Sequence, residues 1–209
     1  MGFYREQILP RVVDKACATG EISRQRATVT DGLAGRVVEI GFGSGLNLPH
    51  MPAAVERILA VEPSETAQRL ARARLAESPI PVEFIGVGGD LLPVDDESVD
   101  AALTTFTLCT IPDVSRALRE LMRVLRPGGR LHFFEHGLSP EPRVARWQHR
   151  LTPLQRRLFG GCHLDRPIDQ LIGGAGFEIA SLHNRYLKGP KTPGYIYQGI
   201  ARKDAPGSS

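Results

Sequence analysis

The chain has little cysteine. Three residues of 209 (Cys17, Cys109 and Cys162) are odd in number and lack metal-ligand spacing, so they read as free thiols in a reducing compartment and no metal is expected. Aromatic residues are few, at 6% with a single tryptophan, and neither sign of charge dominates: the formal net charge of +3 argues against dedicated nucleic-acid binding. No apolar run approaches the ~20 residues that span a bilayer. The first residues include Glu6 and no cleavable apolar core, which argues against a secretory signal and points to a cytoplasmic location. What remains is a chain with 42% hydrophobic residues, long enough to bury the core of one α/β domain. Its oligomeric state is not legible.

Elements alternate along the chain. Ile8, Leu9, Val12, Val13 and Ala16 fall at helical spacing within 3–18, interrupted by Pro10, and residues 1–34 read as an N-terminal helical region. Strands are expected at 36–40, 58–61, 82–86, 99–104, 131–135, 177–182 and 195–201. Ser64 and Asp113 sit where they can cap helices, the first with Ala67, Leu70, Ala71 and Leu75 on one face, the second with Ala117, Leu118, Leu121, Val124 and Leu125. Arg126-Pro127-Gly128-Gly129 stops the second of these, and Ile168–Ala175 forms a further helix ending at Gly176. Such alternation predicts a doubly wound, mostly parallel sheet, with one domain over 1–201 and a disordered tail over 202–209.

The densest signal is Val37-Val38-Glu39-Ile40-Gly41-Phe42-Gly43-Ser44-Gly45-Leu46-Asn47, an apolar strand running into three alternate glycines. Glycines let the backbone approach a ligand closely, and a following helix offers free N–H groups. A dinucleotide fingerprint would require glycine where Leu46 stands, so a nicotinamide oxidoreductase is disfavoured. Glu39-x-Gly41-x-Gly43-x-Gly45 resembles instead motif I of the class I S-adenosylmethionine-dependent methyltransferases. The resemblance covers about 35–201 and implies a Rossmann-like, seven-stranded sheet with an antiparallel last strand, and S-adenosyl-L-methionine as cofactor. It implies that Glu39 serves the methionine end, that Glu62 accepts from both ribose hydroxyls, that Asp90 accepts from the adenine amino group, and that Leu91 supplies a backbone N–H. Asn47 and Thr105 complete the expected cofactor-facing set. The turn at 125–129 matches a structural turn of the family.

Thr105-Phe106-Thr107-Leu108-Cys109-Thr110-Ile111, Phe134-Glu135-His136, Trp147 and Gly161-Cys162-His163-Leu164 resemble the alkyl-thiol methyltransferase family. That resemblance implies a small-molecule methyl acceptor, with a thiol first. An amine or quinone-ring carbon as acceptor, or a non-catalytic S-adenosylmethionine-binding regulator, are the alternatives. Membrane-bound members carry an N-terminal hydrophobic anchor that is not seen here. A thiol has a pKa near ~8.5, so one basic neighbour yields thiolate near neutral pH. His136, just past the fifth strand, is the candidate base or positioner; equally, it could satisfy a buried backbone carbonyl. Phe106, Trp147, Cys162 and His163 are the candidate substrate contacts.

Residues 139–161 read as a helical lid over the cofactor. Pro142 starts one helix with Val144, Trp147 and Leu151 on a stripe, and Thr152-Pro153 starts a second that ends at Gly160-Gly161. Arg143, Arg146, Arg150, Arg156 and Arg157 give the segment a basic face, either solvated surface or a weak peripheral contact for anionic lipid headgroups.

Overall fold

In a computed structural model, which describes residues 2–86, 88–89 and 91–205, seven strands form one sheet in the order β3-β2-β1-β4-β5-β7-β6. The strands are β1 (Gly35–Ile40), β2 (Val55–Val61), β3 (Val82–Gly86), β4 (Val99–Thr105), β5 (Leu125–His136), β6 (Glu178–Tyr186) and β7 (Tyr195–Arg202). All pairs from β3 to β5 are parallel, and β7 is antiparallel to both β5 and β6. The expected doubly wound sheet with an antiparallel last strand is therefore present. Strand order reverses between β1 and β4, and in such sheets ligands bind outside the carboxyl ends of the strands at that reversal.

The helices are α1 (Leu9–Cys17), α2 (Gly20–Thr30), α3 (Glu65–Glu77), α4 (Val114–Val124), α5 (Pro142–Leu158), α6 (Ile168–Gly174) and α7 (Lys191–Gly194), with a π-turn over Tyr4–Ile8 ahead of α1. The period-two pattern of the strands divides the core between two faces. Val38, Ile40, Leu59 and Val61 face α4 and α6, through Leu118, Leu121, Ile168 and Ile172. Val37, Ile58, Ala60, Leu103 and Phe134 face α2 and α3, through Val29 and Ala71. Asp113 caps α4 by accepting from the Arg116 N–H at 2.9 Å, and Ser64 caps α3 by accepting from the Ala67 N–H at 3.2 Å. A cap is worth about 1 kcal/mol, whereas full burial of one Leu or Val contributes about 1.5–3 kcal/mol. Five buried residues on α4 therefore hold it to the sheet, and Asp113 only sets where it starts.

Several expected boundaries shift. β5 begins at Leu125 rather than 131, because Leu125 already pairs with Val99 and Arg130 with Ala101, the register shifting across Arg126–Gly129 between them, with Gly128 at φ +77°. β7 extends to Arg202, which pairs with Arg130 and Glu178, and Lys203 exchanges backbone hydrogen bonds with Gly128 and Gly129 at 2.9 Å each. The expected tail therefore starts later than 202, and its last residues, 206–209, lie outside the described ones. The two expected lid helices are one: α5 runs through Pro153, which removes the N–H that would bond the His149 carbonyl, and the preceding Thr152 hydroxyl donates to the Gln148 carbonyl at 2.9 Å. No helix among the described residues is long and apolar enough to cross a membrane.

Candidate active site

The backbone leaves β1 in left-handed conformations at Gly41 (φ +77°), Gly43 (+60°) and Gly45 (+76°), which only glycine adopts without strain. A Cβ on Gly41 would lie 2.0 Å from the Thr107 Oγ1, so the glycine turn and the loop after β4 touch directly. Glu62, at the end of β2, braces the turn from the other side. Its Oε2 accepts from the Gly43 N–H at 2.8 Å and its Oε1 from the Ser64 N–H at 2.7 Å. Burial raises the Glu62 pKa, opposed by these two backbone donors.

Beneath the turn lies a buried polar network. The Asn47 amide donates to the Glu39 Oε1 at 2.6 Å and to the Thr105 hydroxyl at 3.1 Å, and its oxygen accepts from Arg26 at 2.7 Å. Arg26 also donates to the Thr105 hydroxyl at 3.0 Å. Glu39 is fully buried, and its Oε2 has no hydrogen-bond partner among the described residues. Desolvation lifts its pKa from 4.5 to about 7, against the Asn47 hydrogen bond and the Arg26 charge. An acceptor left open in so dry a place is costly unless something fills it.

Above the network opens a cavity of about 1090 Å³. Its floor is the glycine turn and Glu62–Ala67; its far wall is Thr105–Thr107 and Thr110–Asp113. The roof differs from expectation. It is the N-terminal segment, through Arg5, Leu9, Pro10, Val13, Asp14 and Cys17, whereas only Phe159–Gly161 of the expected lid reach the cavity. The Ser44 hydroxyl donates to Asp14 at 2.5 Å and Arg74 donates to the same carboxylate at 3.3 Å, which ties α1 to the glycine turn. α5 itself is held away by Gln148, which accepts from the Ser139 N–H and donates to the carbonyls of Gly137 and Thr192, at 2.8–3.0 Å. Trp147 is consequently 55% exposed, with Arg150 5.6 Å from its ring centre, and does not face the cavity.

Of the expected substrate contacts, Phe106 lines the cavity, at a positive φ of 55° that is uncommon for a residue with a side chain. His136 is not among the described residues lining it. Its ring packs behind Phe106, 4.6 Å centre to centre, and its Nδ1 is buried without a hydrogen-bond partner. Cys162 and His163 are also off the wall. The Cys162 and Cys109 sulfurs are 3.8 Å apart, and the His163 N–H donates to the Cys109 carbonyl at 2.7 Å. Contact with Cys162 and burial push the Cys109 thiol well up. The side chain of Leu91 is exposed, and Asp90 lies outside the described residues. Arg26, Asp14 and the roof itself escaped the sequence reading. Arg26 lies on a helix with no motif, and nothing in a single sequence distinguishes it from a surface arginine.

Residues 38–133 match a family of methyltransferase domains. The human thiol S-methyltransferase TMT1A is 31% identical over 154 residues, 71% of this chain and 62% of that relative's length. A demethylmenaquinone methyltransferase of Clavibacter sepedonicus is 34% identical over 111 residues, 53% of this chain and 45% of its own length. In structure, a methyltransferase from Bacillus halodurans superposes with a TM-score of 0.70 at 16% identity, over 89% of this chain and all of that one. The chain carries a class I S-adenosylmethionine-dependent methyltransferase domain, and S-adenosyl-L-methionine is the cofactor of that class. In sequence it is similar to the thiol S-methyltransferases, of which it spans about three fifths of the length. The residues present fit that cofactor in part: the Cβ-free turn, Glu62 and Thr105 line the cavity, whereas Glu39, with its orphaned oxygen, and Asn47 lie buried beneath the turn and are not among the described residues lining it.

Proposed function

We propose that this domain methylates a small-molecule thiol. The observation that carries the reading is the apolar part of the cavity lining, to which Phe106, Ile111, Leu9, Val13 and Phe159 contribute. Similarity to proteins named thiol S-methyltransferases supports a thiol as the acceptor class. In this reading Glu62 takes the ribose hydroxyls, and Glu39, through Asn47 and Arg26, takes the methionine end. Gly41, Gly43, Gly45 and Thr105 shape the floor. Asp90 and the Leu91 N–H receive the adenine.

Bound S-adenosylmethionine supplies an electrophilic methyl on a sulfonium. The chain's own task is alignment and exclusion of water, because an in-line displacement gains most from fixed geometry. Phe106, held at positive φ between the rings of Phe134 and His136, presents a rigid apolar face to the acceptor. His136 thus acts here as a positioner rather than as a base on the cavity wall. Arg26 provides the positive charge that favours a thiolate: it stands beside the Cys17 thiol and lowers that thiol's pKa against the larger effect of burial. A quinol-ring carbon is the second acceptor, favoured by the demethylmenaquinone methyltransferase relatives and by the same apolar lining.

The partner reading extends to the outer surface. Trp147, Leu154, Leu158 and Phe159 are exposed beside Arg143, Arg146, Arg150, Arg156 and Arg157, a pairing of apolar anchors with cations that suits peripheral contact with anionic lipid.

The deciding experiment is detection of S-adenosylhomocysteine by mass spectrometry when the protein meets S-adenosylmethionine and a panel of thiols, amines and quinols. Turnover with thiols, at a kcat/KM well above that for the other classes, is expected. Turnover confined to quinols or amines overturns the thiol reading; cofactor binding without turnover on any class favours a regulator and overturns the enzymatic one.

A further inference from the structure

Behind the cavity wall, three side chains from three separate segments converge. Cys109 follows β4, His136 ends β5 and Cys162 follows α5, and their ligating atoms all lie within 4.8 Å of one another. Cys109 and Cys162 are buried and free. Their sulfurs, 3.8 Å apart, stand at the separation that two thiolates take on one tetrahedral zinc ion, about 3.8 Å for Zn–S bonds of ~2.3 Å. The buried His136 Nδ1 makes no hydrogen bond of good geometry among the described residues, and the group its imidazole meets is the Cys109 thiol.

We propose that Cys109, His136 and Cys162 form a three-ligand site for a thiophilic divalent metal ion of the zinc class. Two thiolates and an imidazole are soft and borderline donors that select such an ion over magnesium or calcium. Loading releases the two thiol protons to solvent, forms two metal–sulfur bonds and one metal–nitrogen bond, and changes no oxidation state. Three protein ligands leave a fourth position for water or an exogenous donor.

The segments are braced as a preorganised site requires. The buried Glu135 carboxylate accepts from the Thr107 N–H at 3.0 Å and the Cys109 N–H at 3.3 Å, fixing the loop that carries Cys109. The His163 N–H bonds the Cys109 carbonyl, which fastens the Cys162 segment to the same loop. Pairing of His136 with Ile196 in the β5–β7 ladder, and its ring contact with Phe106, fix the imidazole. Thr110 and Gly161, the chain neighbours of Cys109 and Cys162, line the cavity, so the ion sits directly behind its wall. The inference stands apart from the acceptor reading, since metal binding requires no methyl transfer.

The test uses the full chain, reduced and stripped of metal, titrated with Co2+ as a spectroscopic probe. One Co2+ per chain is expected, with a sulfur-to-cobalt charge-transfer band and tetrahedral ligand-field absorption, both displaced by Zn2+. Cys109→Ser and Cys162→Ser should each weaken binding by more than the roughly 10–100-fold that loss of an outer-shell partner costs. Retained binding of S-adenosylhomocysteine certifies that the variants fold. A missing charge-transfer band in the reduced wild-type protein overturns the proposal, as does wild-type affinity in both serine variants. Should a variant fail to fold, X-ray absorption of the zinc-loaded wild type decides: two sulfur neighbours and one nitrogen support the site, and an oxygen-only shell overturns it.

Discussion

Glu62 holds Gly43 by a 2.8 Å hydrogen bond from the glycine N–H to the carboxylate, so the acid at the end of β2 sets the shape of the turn that ends β1. One carboxylate thereby organises the floor of the cavity before any ligand arrives. Glu62→Ala should weaken S-adenosylhomocysteine binding by about 10–150-fold, the 1.5–3 kcal/mol associated with hydrogen bonds to a charged group. Glu62→Gln keeps an acceptor for one backbone donor only and should fall between. Isothermal titration calorimetry measures both, and unchanged affinity in Glu62→Ala would remove Glu62 from the cofactor site.

Burial raises the Glu39 pKa from 4.5 to about 7, so the folded protein holds a proton there that the unfolded chain releases. The sign follows: Glu39 contributes most to the stability of the ligand-free protein below pH 4.5, and that contribution is lost as pH rises to about 7. A cationic ammonium beside its open oxygen favours the ionised form, so affinity for S-adenosylhomocysteine should rise as pH climbs through that same value. Glu39→Gln should flatten this rise. Calorimetric titration from roughly one unit below to one unit above the Glu39 pKa tests it, and an identical slope in the variant would overturn it.

Gly41→Ala places a methyl 2.0 Å from the Thr107 Oγ1 at a backbone φ of +77°. The substitution should destabilise by more than the ~1 kcal/mol that the same change gains at a compatible glycine site, and lower Tm by several degrees. Thermal denaturation with and without cofactor reads it. A Tm equal to wild type would mean that the β4 loop yields freely.

The roof provides a discriminating pair of substitutions. Leu9 is buried and lines the cavity from α1, whereas Trp147 is exposed on α5. Leu9→Asp should raise the acceptor KM at least about tenfold, because it puts a charge against apolar ligand surface. Trp147→Ala should leave kcat and KM near wild type while reducing retention on vesicles that contain anionic lipid. Steady-state kinetics and vesicle sedimentation separate the two. A large KM effect from Trp147→Ala would restore α5 as the substrate lid.

Much of the fold was open to reading because its signals are local. The apolar run into Gly41-x-Gly43-x-Gly45, the acid ending β2, and the caps at Ser64 and Asp113 depend on neighbours within a few residues, and strand–helix alternation then permits little but a parallel sheet. Pro153 misled the reading of α5, because proline removes one backbone hydrogen bond but the buried Val144, Gln148 and Thr152 hold the helix continuous through it.

By itself, then, the sequence determined the sheet, the glycine turn and the acids at the ends of β1 and β2, each written in a short stretch of chain. Tertiary structure alone decided that α1 and not α5 roofs the cavity, that Arg26 reaches Asn47 and Thr105, and that Cys109, His136 and Cys162 meet. Those contacts join residues far apart in the chain. Their partners are chosen by how helices pack on the two faces of the sheet, and no periodicity or spacing records that choice.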